Sequence, residues 1–130
     1  MAEVSTTTKK RKAKRSVPSG QVHIQATFNN TIITISDSIG NSICSLSAGS
    51  CGYKGARKST SFAAQTVAKN LGSKALELGI KDIKICIKGR GKGRDSAIRA
   101  LKTSGLNILS LEDRTPLPFN GCRPPKRRRL

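Results

Sequence analysis

The sequence predicts an α/β domain: one mixed sheet of about five strands with two helices, in the order βββαβαβ. Two observations carry this. Runs in which apolar residues alternate with polar ones, or in which β-branched residues dominate, occur three times in succession and twice more further on. The later runs are separated by segments with apolar residues three or four apart. The first pattern marks strands and the second marks amphipathic helices. A chain of 130 residues also favours a single core.

The first strand is expected over residues 22–28, where Val22, Ile24, Ala26 and Phe28 alternate with His23, Gln25 and Thr27. That phase puts Phe28 in the core. Asn29-Asn30 then marks a tight turn into the β-branched run 31–35. Beyond Ile39-Gly40-Asn41, a third short strand carries Ile43, Cys44 and Leu46, so the opening is an antiparallel meander. The first helix starts near Thr60, an N-cap residue type, and sets Ala64, Val67, Leu71, Ala75 and Leu78 on one stripe before Gly79 stops it. Phe62 is expected at a core position. Ile83, Ile85 and Ile87 alternate with Asp82, Lys84, Cys86 and Lys88, a strand with one buried face. Ala97, Ile98 and Leu101 mark a shorter second helix ending at Gly105, with Asp95 as a cap or first-turn acid. A strand over residues 106–111 completes the sheet.

The ends have no apolar period. Residues 1–16 form a basic arm with Lys9, Lys10, Arg11, Lys12, Lys14 and Arg15, residues 17–119 form the globular body, and residues 120–130 form a second basic arm. In the latter, NGCRPPKRRRL, Pro124-Pro125 holds the chain extended beside Arg123, Lys126, Arg127, Arg128 and Arg129.

The net charge of +18, from 25 Lys+Arg against 7 Asp+Glu, calls for an anionic partner, and nucleic acid is the first candidate. A membrane partner is not expected, since no apolar run approaches the ~18 residues of a spanning helix and no signal-peptide core is present. Cys44, Cys51, Cys86 and Cys122 are scattered without a C-x-x-C pair, and His23 is the only histidine. Neither a metal site nor a disulfide framework is expected. No cofactor or small-molecule substrate is expected either.

Two glycine-rich basic loops precede the helices, and neither matches an enzyme's phosphate loop. In IKGRGKGRDS the sixth position from Gly89 is Arg94 and from Gly91 is Ser96, so the dinucleotide fingerprint fails. The Gly91-Lys92 pair is followed by Gly93 where a P-loop needs Ser or Thr. The earlier loop, SCGYKGARKST, has Arg57 where the P-loop has glycine. Flexible backbone, cations and helix N-termini together suit polymer phosphates instead. With three Phe, one Tyr and no Trp, base stacking is expected to be minor, Tyr53 and Phe119 being the exposed rings. Catalysis is not expected: His23 has no neighbouring nucleophile, and Asp37, Asp82, Asp95, Glu112 and Asp113 are scattered. A DNA-compacting or chromatin-associated binder is the alternative that these features allow.

The stretches HIQATFNNTIITISD, SAGSCGYKGARKSTSFAAQ, IKGRGKGRDSAIRAL and TPLPFNGCRPPKRRRL resemble the universal S-eleven family of small-subunit ribosomal proteins, bacterial type, from Pro18 to Leu130. The resemblance implies a ribonuclease-H-like domain without nuclease activity. It also implies a place on the platform of the small subunit, where the protein bridges helices of the ribosomal RNA and helps line the messenger RNA exit cleft beside members of the S-seven and S-eighteen families. The RNA contacts it implies are Asn29 and Asn30, then Lys54, Arg57 and Lys58, then Gly89, Arg90, Gly91, Lys92, Gly93 and Arg94, and finally the arm from Asn120 to Arg129. The sequence departs from the family at Arg90 and Lys92, where proline is common, at Phe119, where histidine is usual, and at Ser61, where proline is usual. The expected location is a ribosome in the bacterial cytoplasm or, alternatively, in a plastid or mitochondrion. The short stretch before the body leaves little room for a transit peptide as well as an arm.

Overall fold

The structure, a computed structural model, describes residues 18–127 and 129. The segment with Lys9, Lys10, Arg11, Lys12, Lys14 and Arg15 lies outside the described residues, as does Arg128. The elements are β1 (Ser19–Ala26), β2 (Thr31–Ser36), β3 (Ser42–Ser47), a 3-10 turn (Gly55–Ser59), α1 (Ser61–Glu77), β4 (Asp82–Lys88), α2 (Gly93–Thr103) and β5 (Asn107–Asp113).

The five strands form one sheet in the order β3-β2-β1-β4-β5. β1, β2 and β3 make the expected antiparallel meander, while β4 lies parallel to β1 and β5 parallel to β4. Parallel neighbours need a crossover, which α2 supplies between β4 and β5. α1 carries the chain from the β3 edge to the far side of β1. It packs on β2, β3 and α2, and α2 packs on β1, so both helices share a face of the sheet.

That face holds the core. Val22, Ile24, Ile33, Ile35, Ile83 and Ile85 meet Ala64, Val67, Leu71, Ala97 and Leu101. Fully burying each of the larger side chains contributes about 1.5–3 kcal/mol. The helices themselves meet through small residues, since a Cβ on Gly72 would stand 2.6 Å from Ser104 Oγ.

Several expectations are corrected. Phe28 and Phe62 are not core residues: they are 75% and 67% exposed. β1 ends at Ala26 and Thr27 opens a turn, which breaks the alternation before it reaches Phe28. The buried stripe of α1 runs through Ala63, Ala64, Val67, Ala68, Leu71, Gly72 and Ala75, and leaves Phe62 at its edge. Tyr53, expected to be exposed, is half-buried against the core. Phe119 is exposed as expected. Cys86, expected on a polar face, is buried because it sits in an inner strand, in register between His23 and Glu112. β5 continues to Asp113, two residues past the expected end, and Leu109 and Leu111 are exposed along that edge. Asp95 lies in the first turn of α2 without capping it.

Candidate nucleic-acid interface

Because β1, β4 and β5 run parallel, their carboxyl ends share one end of the sheet, where open α/β sheets generally bind ligands. Four segments converge there. The first is the turn of residues 27–30. Thr27 holds it through its backbone N–H to Asn30 O at 2.8 Å, while its Oγ1 donates to Asn30 O and accepts from the N–H groups of Asn29 and Asn30. Asn30 Oδ1 accepts from Thr31 N at 2.8 Å, so the oxygen of this amide is engaged inside the turn. Asn29 is exposed, and its side-chain amide makes no hydrogen bond to the described residues.

The second segment is the loop that follows β3 and closes into the 3-10 turn. Lys54 and Arg57 are exposed and Lys58 is half-buried. The turn ends at Thr60, whose hydroxyl donates to Arg57 O at 2.7 Å and accepts from Ala63 N at 3.3 Å. This N-terminus is therefore partly capped by its own chain. Tyr53 anchors the loop: its hydroxyl lies 3.1 Å from Thr66 Oγ1, and its ring meets Phe62 edge-on at 6.3 Å.

The third segment, residues 89–94, alternates glycines with cations. A Cβ on Gly89, which has φ 101°, would collide with Ala26 O, and one on Gly91 would collide with Thr27 O. Gly89 N donates to Thr115 Oγ1 at 3.2 Å and Gly91 N to Ala26 O at 3.0 Å. These glycines let the loop press onto the end of β1, with the N–H groups of Gly89 and Gly91 engaged inside the fold. Gly91 and Gly93 are buried, whereas Arg90 and Lys92 face solvent. Lys92 also stands at the N-cap of α2 without a side-chain cap, and Ser61 Oγ donates to its carbonyl at 3.2 Å, joining the two loops.

The fourth is the chain leaving β5. Asp113 accepts from Arg94 Nη2 at 2.9 Å and from Thr115 Oγ1 at 2.5 Å, and Arg94 Nη1 donates to Gly89 O at 3.1 Å. Arg94 therefore braces the loop. Past Thr115, Asn120, Arg123, Lys126, Arg127 and Arg129 are all exposed, with Asn120 at φ 55°.

The charge of this end is largely unneutralised from within. Among the described residues the ion pairs are Arg94–Asp113 and Arg114–Glu112, leaving Lys54, Arg57, Lys58, Arg90 and Lys92 without a carboxylate. Among the described residues nothing comparable assembles for catalysis. His23 lies on the open face of the sheet with Nε2 at 3.0 Å from Ser36 Oγ. Burial, then the charges of Arg114 and Lys88, lower its pKa and favour the neutral ring. Cys44, Cys51, Cys86 and Cys122 are free thiols. Among the described residues no three His, Cys, Asp or Glu cluster to hold a metal, and no helix is long and apolar enough to cross a membrane.

Comparison with known proteins gives consistent matches. The family model described as "Ribosomal protein S11" matches residues 20–129. The chain is 54% identical over 130 residues, the full length of both, to "Small ribosomal subunit protein uS11c" of Phaeodactylum tricornutum. It is 52% identical over 130 residues, again full length, to "Small ribosomal subunit protein uS11" of Gloeobacter violaceus.

Proposed function

Since the chain belongs to the ribosomal protein S11 family, we propose that it is a non-catalytic constituent of the small ribosomal subunit that clamps ribosomal RNA with the carboxyl end of its sheet. The observation that carries this reading is the convergence there of Lys54, Arg57, Lys58, Arg90 and Lys92, exposed or half-exposed and without carboxylate partners among the described residues. The folded sheet sets their spacing, and the phosphates of crowded RNA helices supply the missing countercharge. The C-terminal arm leaves the same end and extends the grip. The basic N-terminal residues Lys9, Lys10, Arg11, Lys12, Lys14 and Arg15 would add phosphate contacts of the same kind.

In this reading the protein sits on the platform and joins separate helices of the ribosomal RNA. It helps line the messenger RNA exit cleft, with members of the S-seven and S-eighteen families as neighbours. The ribosome is of bacterial type, in a bacterium or in an organelle.

Three measurements test the proposal. Tagged full-length protein should co-sediment with small subunits after a high-salt wash, and crosslinking within those subunits should link Lys126 or its neighbours to an S-seven or S-eighteen protein. Competition at matched salt should favour structured ribosomal RNA over duplex DNA. A preference for DNA, or recovery outside the ribosomal fractions, would overturn the reading in favour of a DNA-compacting protein.

A further inference from the structure

The turn of residues 27–30 and the 3-10 turn face each other across a cleft of about 470 Å³, lined by Phe28, Asn29, Gly55, Ala56, Lys58 and Ser59. Its contents differ from the phosphate-binding surface around it. Phe28 offers an apolar ring that is 75% exposed, Asn29 an amide with both donor and acceptor atoms, and Lys58 a cation. The described body buries no Phe side chain in its core, so a ring at a polar turn is not a displaced core residue. The backbone under it is already ordered by Thr27, whose amide and hydroxyl satisfy the turn. A backbone fixed in advance lowers the ordering cost when something stacks on the ring it carries.

We propose that this cleft takes one unpaired base of the RNA, stacked on Phe28, with Asn29 at the base edge and Lys58 near the phosphate. This rests on the RNA-binding reading above and adds a contact that a perfect duplex cannot make. Charge complementarity selects the occupant, because an aromatic ring, an amide and a cation lining one cleft, on a chain of net charge +18, match a nucleotide's base and phosphate together.

The test uses the full chain and two RNA probes, a short fully paired duplex and the same duplex carrying a three-nucleotide bulge. Wild-type protein should bind the bulged RNA about tenfold more tightly, the scale of one base–aromatic stack. Phe28→Ala should abolish that preference while leaving affinity for the paired duplex unchanged, and Phe28→Trp should preserve it. Ile39→Ala, an exposed apolar change in the turn at the opposite end of the sheet, should alter neither affinity. Equal binding of the two probes by wild type, or equal loss on both from Phe28→Ala, would overturn the stacking site and leave the clamp standing. Failure to bind either RNA would instead overturn the underlying function.

Discussion

Asp113 receives three hydrogen bonds, from the hydroxyl and the amide of Thr115 and from the guanidinium of Arg94. The Thr115 hydroxyl and amide and then Arg94 bring its pKa down to about 2. A depressed carboxylate stabilises the fold above its unfolded pKa, and that contribution disappears as pH falls through the folded value. The junction between the second loop and the C-terminal arm should therefore hold at pH 5 and loosen as the pH falls from about 4 toward 2. A carbon-13 titration of the Asp113 carboxyl should give a midpoint near 2, and Asp113→Asn should remove this acid step from the exchange rates of the arm's amides. A midpoint near the ordinary 3.8 would mean that the junction is open in solution. Thr31 behaves differently. Its Oγ1 is buried without a hydrogen-bond partner among the described residues, which costs free energy that valine, of the same shape, would recover. Thr31→Val should raise the unfolding free energy by about 1 kcal/mol in urea titration. Destabilisation would indicate that an internal water serves the hydroxyl.

The loop of residues 89–94 shows how far periodicity and motif arithmetic reach at the level of single elements. The failed nucleotide fingerprints were legible in the spacing of the glycines. Their actual purpose was not, because it lies in contacts with Ala26 and Thr27, more than sixty residues earlier in the chain. Gly91→Ala should accordingly destabilise the fold by roughly 1–3 kcal/mol, as overpacking does. It should also shift the backbone resonances of residues 27–30, whereas Lys92→Ala in the same loop should leave both unchanged. Similar shifts from both variants would remove the distinction between seat and surface. The main helix was legible from Thr60 and the stripe that follows it, since a cap and a 3.6-residue period are local properties. Phe62 was misplaced for a local reason too: the apolar type was right, but its angle on the helix put it at the rim of the buried stripe.

For the molecule as a whole, the parallel arrangement of β1, β4 and β5 builds the candidate interface, because it collects at one end loops that lie far apart in the chain. Binding to structured ribosomal RNA should therefore depend steeply on salt, with each phosphate neutralised contributing about 0.9 to the slope of log affinity against log salt. Replacing Lys54, Arg57 and Lys58 together by alanine should lower that slope by roughly 3. Truncation after Thr115 should lower it independently. A slope unmoved by either change would place the contacts elsewhere. The amino-acid sequence by itself determined the partner's charge, the order of strands and helices, the poor match to nucleotide enzymes and the basic loops, since all of these follow from composition and short-range pattern. Tertiary structure alone decided which cations stay unpaired, why the glycines are there, and that Phe28 stands beside Lys58 at an open cleft. Those facts depend on which strand ends meet in space, and strand pairing over long separations leaves no mark in local periodicity.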